Sequence, residues 1–74
     1  MMTRTDEVVL FYLCYKMMTL RELAKHTGKA VSTIRESAKR LIENGYMTGK
    51  KSPKGYYLSR SYRYSEKGEK YAKQ

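Results

Sequence analysis

The feature that most constrains this chain is the stretch at residues 19–45, which reads TLRELAKHTGKAVSTIRESAKRLIENG. Thr19 followed by Glu22 is a capping-box pattern, in which each residue satisfies a free backbone amide of the other at the start of a helix. Gly28 suits the left-handed position that ends such a helix. The pattern therefore predicts a short helix and a turn, with a second helix directly after them.

The second helix is predicted over residues 31–44 and closes at Asn44-Gly45. Its apolar residues recur every three or four positions, so they form a single stripe along one face. The stripe consists of Ile34, Ala38, Leu41 and Ile42. The charged residues Arg35, Glu36, Lys39 and Arg40 lie off it. We therefore expect this helix to bury one side and to keep a largely cationic side in solvent.

An apolar segment precedes this pair of helices. The first helix is predicted to begin at Thr5 as its N-cap and to run through VVLFYLCYKMM. Because it is apolar nearly all round, it needs two sets of neighbours. In a chain of 74 residues, one set is expected to be a second protomer. The single cysteine, Cys14, is either a small buried apolar residue or a cross-subunit disulfide or redox switch.

The segment after Gly45 predicts a β-hairpin and a last helix. Residues 46–48 read as a strand, Ser52-Pro53-Lys54-Gly55 is turn chemistry, and YYLSRSYRY forms the returning strand. Its tip is expected near residues 52–56. The residues expected to share one face are Leu58, Tyr62 and Tyr64. Ser65 and Glu66 begin a short final helix that Gly68 weakens. The whole, residues 1–74, is predicted as one α+β domain that is mostly helical.

The charge is strongly one-sided along the sequence. The chain has 16 Lys and Arg against 7 Asp and Glu, a net charge of +9 and a pI near 9.8. Residues 1–18 are balanced, whereas residues 46–64 carry five cations and no acid. A basic excess concentrated in one part of a small domain is typical of a surface that binds nucleic-acid phosphates.

Four short motifs together resemble the winged helix-turn-helix transcriptional regulators. They are L-x-E-L-A-x-x-x-G at residues 20–28, S-T-I at 32–34, R-L-I-x-x-G-Y at 40–46 and Y-S-E-K-G at 64–68. The last is similar to the sequence that follows the wing in MarR-like regulators, and the small size resembles archaeal, viral and plasmid DNA-binding proteins. The resemblance implies a helix, a helix-turn-helix, a two-stranded wing and a short C-terminal helix, binding double-stranded DNA as a homodimer through the first helix.

By this resemblance, the second helix of the pair lies in the major groove and the basic wing on the backbone or minor groove. Arg35 is the first candidate for reading a base, with phosphate contact and solvent as its alternatives. Glu36 either accepts from a cytosine or pairs with a cation on its own helix. The predicted DNA-binding residues are Lys25, Lys29, Val31, Ser32, Thr33, Arg35, Glu36, Lys39, Lys50, Lys51, Lys54 and Arg60.

The chain departs from this family at two places. Where such proteins place a small apolar residue and then a Ser or Thr cap after the turn glycine, it has Lys29 and Ala30. Its flanking helices are also shorter than those that build the dimer and ligand pocket of MarR-like proteins. The resemblance therefore supports DNA binding better than effector sensing.

Two other functions stay open from the sequence. One is a nucleic-acid-binding module of chromatin, replication or RNA that does not regulate genes, in which Tyr56 and Tyr57 stack on exposed bases. The other is a winged helix whose hairpin face binds a protein. The sequence indicates no enzyme, cofactor or metal site, and the lone His26 is expected in solvent. The start of the chain does not resemble a signal peptide, so we expect a cytoplasmic protein.

Overall fold

A computed structural model describes residues 2–73 of the chain. The elements follow one another in the order α1 (Arg4–Cys14), α2 (Leu20–Thr27), α3 (Val31–Glu43), β1 (Met47–Thr48), β2 (Arg63–Tyr64) and α4 (Glu66–Ala72). This order of a helix, a helix-turn-helix, a hairpin and a final helix confirms the predicted winged helix-turn-helix architecture. We call residues 47–64, which run from the start of β1 to the end of β2, the wing.

Helix α1 begins two residues earlier than predicted. The N-cap is Thr3, not Thr5: the Thr3 hydroxyl accepts from the Asp6 amide at 3.1 Å, and the Asp6 carboxylate accepts from the Thr3 amide at 3.4 Å. This capping box takes precedence because an acid stands three residues after Thr3. The helix also ends at Cys14, earlier than predicted, and Met17 beyond it has a φ of 58°.

The helix-turn-helix has the predicted caps. The Glu22 carboxylate accepts from the Thr19 amide at 2.8 Å, and the Thr19 hydroxyl accepts from the Glu22 amide at 3.0 Å. Gly28 has a φ of 74°, the left-handed conformation expected at the end of α2. The predicted capping box and turn are therefore confirmed.

The core lies where the three longer helices meet the base of the wing. Helices α1 and α2 both pack on α3, and the largest side chains that are wholly buried come from all three helices and β1. They are Val9, Leu13, Leu23, Ile34, Leu41 and Met47. Tyr62 from the wing is buried beside them. This core fixes the orientation of α3, whose other side stays in solvent.

The regular strands of the wing are shorter than predicted. Met47 pairs with Tyr64 and Thr48 with Arg63, and farther out one isolated bridge joins Lys51 to Tyr57. Leu58 was predicted to share one face with Tyr62 and Tyr64, but Leu58 is 40% exposed whereas Tyr62 is buried. The reason is that the chain leaves the strand conformation before β2, where Arg60 has a φ of 58°, so the alternation of faces is interrupted.

Helix α4 packs over the base of the wing. The Ser65 hydroxyl caps it by accepting from the Gly68 amide at 3.0 Å. Gly68 is buried directly against the Tyr46 carbonyl, where a Cβ would overlap the oxygen. The Tyr71 hydroxyl donates to the Glu7 carboxylate, which ties α4 to α1. Close packing at Gly68 is thus the reason for a helix-weakening residue at this position.

Candidate nucleic-acid interface

Helix α3 presents two chemically different sides. Ile34, Ala38 and Leu41 are buried, and Ile42 is half-buried, so the predicted apolar stripe is confirmed as the packed side. The opposite side is exposed, and its members are Ser32, Thr33, Arg35, Glu36 and Lys39. The helix therefore has the geometry required of a recognition helix, with one side in the core and a polar, cationic side free.

The first turn of α3 has no side-chain cap. Ala30 has the extended conformation of an N-cap residue, with φ −67° and ψ 147°, but its methyl group cannot accept a hydrogen bond. The amides of Thr33 and Ile34 both donate to the Ala30 carbonyl, at 3.1 and 3.2 Å. The absence of a capping side chain at this position, inferred from the sequence, is therefore confirmed.

A groove of about 640 Å³ separates α3 from the wing. Its apolar wall comes from α3, the wing and the start of α2, and three cations, Arg35, Lys39 and Lys51, lie along it together with one acid, Glu43. The apolar residues are Leu20, Ala38, Ile42, Tyr56, Tyr57 and Tyr62. Burial raises the pKa of Tyr62, with Tyr57 acting in the same direction and the nearby Arg35 charge opposing them. The two predicted DNA-binding elements therefore share one cationic cleft.

The outer wing, by which we mean residues 50–58, is held by its own backbone hydrogen bonds. The Ser52 amide donates to the Tyr56 carbonyl and the Leu58 amide to the Lys50 carbonyl, both at 2.8 Å. Gly55, with a φ of 93°, makes the turn at the predicted tip. The side chains of Lys50, Lys51 and Lys54 are exposed, and the Lys51 ammonium lies 5.4 Å from the Tyr57 ring centroid.

The remaining predicted site residues lie in three places. Lys25 and Lys29 are exposed at the end of α2 and in the turn, next to the start of α3. Val31 is half-buried and lines a shallow groove together with Arg35. Arg60 is turned toward the start of α2, where it donates to the Met17 carbonyl at 2.9 Å and pairs with Glu22 at 3.3 Å. Eleven of the twelve thus lie on α2, α3, their turn or the outer wing.

One polar cluster behind the recognition helix was missed from the sequence. Asp6 is 5% exposed, and it accepts from the Ser37 hydroxyl at 2.5 Å and from Arg40 at 2.8 Å. Burial acts to raise the pKa of Asp6, but the hydrogen bonds from Arg40, Ser37 and Thr3 outweigh it, so this pKa lies below its ordinary value. The cluster fixes α1 to the back of α3. The sequence did contain an indication of this cluster, because Ser37 is a polar residue on the packed side of α3, between Ile34 and Leu41.

Cys14 is buried, which agrees with its interpretation as a small apolar core residue. Its thiol lies 3.7 Å from the Met47 sulfur in the core. Burial raises the pKa of this thiol to about 11, with the Arg63 charge acting weakly against it. The thiolate, which is the reactive form, is therefore scarce at neutral pH.

Within residues 2–73, no group of three or more His, Cys, Asp or Glu side chains is placed to hold a metal ion. None of the helices in this part of the chain has the length and apolar character needed to span a membrane. His26 is exposed and lies against Tyr12, with 5.0 Å between the ring centroids.

The sequence matches no protein-family model and no curated protein sequence. Among solved structures, the chain is similar to a transcriptional regulator of Thermotoga maritima, with a TM-score of 0.71 and 27% identical residues. The similarity covers 97% of this chain and 51% of that protein, so the chain spans about half the length of its structural relative. The predicted resemblance is confirmed at the level of the fold: the chain is a winged helix-turn-helix domain of the kind found in a transcriptional regulator.

Proposed function

We propose that this chain is a transcriptional regulator that binds specific sequences of double-stranded DNA. The observation that carries the proposal is the cationic cleft in which Arg35 and Lys39 of α3 face Lys51 of the wing. An α-helix with a free polar side fits the major groove, and the wing then meets the backbone or the adjacent minor groove. The similar protein from Thermotoga maritima is itself a transcriptional regulator.

Within this proposal the exposed residues divide by role. Arg35 reads a base, because a guanidinium can donate to both the O6 and N7 atoms of guanine. Glu36 has no cation within 4.0 Å among residues 2–73, although its charge acts on Arg40, and we assign its carboxylate to accept from a cytosine amino group. The residues assigned to the DNA backbone or to either role are Lys25, Lys29, Ser32, Thr33, Lys39, Lys50, Lys51 and Lys54. The Val31 side chain has no hydrogen-bond donor and is assigned an apolar contact with a base, such as a thymine methyl group. The proposal also implies an intracellular location, where duplex DNA is found.

The test is selection from a random duplex library, carried out with the wild type and with Arg35→Ala. We expect the wild type to enrich one motif and Arg35→Ala to relax the preference at one position, with a loss of about 1–3 kcal/mol in binding. Lys70→Ala on α4 is the matched control, since it removes an exposed cation outside the cleft. Equal affinity of the wild type for all duplexes would rule out sequence-specific binding.

We further propose that the regulator acts as a homodimer through α1. Phe11 and Tyr15 project from this helix, 40% and 65% exposed, and their rings stack with 5.2 Å between centroids. Beside them is a groove of about 300 Å³ lined by Leu10, Tyr64 and Tyr71. Residues 1–18 are also balanced in charge, so repulsion between two +9 chains is weakest there.

One observation favours a second function, binding of single-stranded nucleic acid. Tyr56 lies near the wing tip and is 59% exposed, so its ring is free to stack on a base. Tyr57 is less available, because it packs against Tyr62 with 6.0 Å between centroids. A higher affinity for single strands than for duplex at equal salt, lost in Tyr56→Ala, would favour this function over the regulator.

A further inference from the structure

Arg60 differs from the other predicted DNA-binding residues in the direction of its side chain. Its guanidinium lies against the start of α2: Nη1 donates to the Met17 carbonyl at 2.9 Å and lies 3.3 Å from Glu22 Oε1, and Nη2 donates to Glu22 Oε2 at 3.5 Å. Both nitrogens are thus engaged within the protein. We propose that Arg60 is a positioning residue, which holds the wing against the helix-turn-helix and does not contact DNA.

The backbone around this contact supports the proposal. Among residues 2–73, Met17 and Arg60 are the two non-glycine residues with positive φ, each at 58°, and they contact each other. Residues in this region of φ persist only where their surroundings hold them there. Arg63 adds to these contacts, because its Nη1 donates to the Arg60 carbonyl at 3.0 Å and to the Tyr62 carbonyl at 2.8 Å. The base of the wing is thus fixed to the turn between α1 and α2.

Glu22 makes the link specific to the helix-turn-helix. One carboxylate closes the capping box by accepting from the Thr19 amide at 2.8 Å and also pairs with Arg60. The pKa of Glu22 is lowered chiefly by the hydrogen bond from the Thr19 amide; the Arg60 charge acts in the same direction, and desolvation opposes both. Glu22, which closes the capping box in the first turn of α2, therefore also anchors the segment of the wing that leads into β2.

An isolated ion pair at the surface contributes little, because solvent screens it and ordering the side chains costs entropy. Arg60 makes more than an isolated pair: its guanidinium donates to the Met17 carbonyl at 2.9 Å, and its two nitrogens also face the two Glu22 carboxylate oxygens at 3.3 and 3.5 Å. Its effect falls on the wing, where the Leu58 amide donates to the Lys50 carbonyl and the Lys50 amide to the Ser61 hydroxyl. Loss of the anchor should loosen these bonds first.

Two variants test the proposal without disturbing the rest of the fold. Arg60→Asn removes the guanidinium and tolerates a positive φ, which asparagine adopts more readily than most residues. Glu22→Gln keeps the geometry of the capping box, because the glutamine side-chain oxygen can still accept from the Thr19 amide, but it removes the charge that faces Arg60. In the free protein, we expect both variants to speed hydrogen exchange of the Leu58 and Lys50 amides about tenfold or more, as local opening becomes easier.

The DNA-binding readout rests on the proposed function and distinguishes positioning from phosphate contact. A lost phosphate contact lowers the slope of log affinity against log salt by about 1, which is the result expected for the control Lys54→Ala. For Arg60→Asn, we expect weaker binding with an unchanged slope. For Glu22→Gln, we expect weaker binding although the net charge becomes more positive.

Three results would overturn the proposal: unchanged exchange of the wing amides in Arg60→Asn, a salt slope that falls by about 1 in that variant, or tighter DNA binding by Glu22→Gln. If even the wild type does not bind duplex, the proposed function fails. The exchange rates of the free protein still decide whether Arg60 anchors the wing.

Discussion

Gly68 leaves no room for a side chain at the centre of α4. Helix propensity alone predicts that Gly68→Ala stabilises the protein by about 1 kcal/mol. We expect the opposite sign, a loss of about 1–3 kcal/mol, because the new Cβ would overlap the Tyr46 carbonyl oxygen and a backbone atom cannot easily move away. Urea unfolding measures the sign. Lys70→Ala on the same helix is the control and should change stability by no more than about 0.5 kcal/mol.

Because of Asp6, the stability of the folded protein should depend on pH in the acid range. Its folded-state pKa lies below the ordinary value of 3.8, because hydrogen bonds from Arg40 and Ser37 outweigh the opposing effect of burial. A carboxyl group of this kind contributes its full stability above the ordinary value and loses it as the pH falls through the lowered folded-state pKa. The relevant range is therefore pH 4 and below, and the charge on Asp6 should be constant near neutrality.

The corresponding prediction compares the wild type with Asp6→Asn. At pH 7, we expect Asp6→Asn to be less stable by about 1–3 kcal/mol, the usual value for hydrogen bonds to a charged group. The difference should shrink at pH 3, which lies below the ordinary carboxyl pKa of 3.8, so that Asp6 of the unfolded chain is largely protonated there. Urea unfolding at both values measures it. A difference of equal size at pH 7 and pH 3 would show that the charge of Asp6 is unimportant.

The limits of sequence reasoning are clearest at these residues. Asp6 directly follows the predicted N-cap Thr5 and does lie in the first turn of α1, but its second role requires knowing that α1 crosses α3 at Ser37. The role of Gly68 likewise depends on the distance between α4 and the Tyr46 carbonyl. Both roles arise from contacts between elements that are 20 or more residues apart in the chain, and local patterns carry no information on such contacts.

At the scale of elements, α3 begins without the cap that most helices have. Ala30 already has the extended backbone of an N-cap, so a hydroxyl there could accept from a free amide of the first turn. We expect Ala30→Ser to stabilise the domain by about 1 kcal/mol, which corresponds to a rise in Tm of about 4–8 °C. Thermal unfolding measures the change. Lys29→Ser is the control, and an equal gain there would show that the cap is not the cause.

Helices were predicted more accurately than the wing. A helix repeats every 3.6 residues, so α2 and α3 carried several matching turns of apolar spacing together with a capping box and Gly28. The wing has two residues in each strand and one isolated bridge. It is held by contacts of single residues, such as that of Arg60 with Met17, and these leave no repeat in the sequence. Thus Leu58 was misplaced although the hairpin and its tip were correct.

At the scale of the whole molecule, the distribution of charge made the candidate interface predictable. Lys51 of the basic segment 46–64 and two cations of α3, Arg35 and Lys39, line one groove because the core holds α3 and the wing side by side. The groove itself was not predicted, since its width depends on how Tyr57 and Tyr62 pack. If about six phosphates are neutralised, the slope of log affinity against log salt should be near −5, and filter binding at several salt concentrations measures it.

The proposed association of two protomers is also tested at the scale of the whole molecule. We expect Phe11→Gln to weaken it about tenfold or more, because a large aromatic side chain in the centre of an interface contributes 2 kcal/mol or more, by order of magnitude. Sedimentation at micromolar concentration, with and without DNA, measures the effect. Leu58→Gln is a closely matched control: Leu58 has the same 40% exposure as Phe11 but lies on the wing.

The two variants distinguish a specific dimer interface from nonspecific association through exposed apolar residues. If α1 forms the interface, Phe11→Gln sediments as a monomer at concentrations where Leu58→Gln remains a dimer. A monomeric wild type that also stays monomeric on DNA would contradict the dimer. Equal weakening by both substitutions would indicate an interface that includes the wing, and DNA binding would then have to compete with dimer formation.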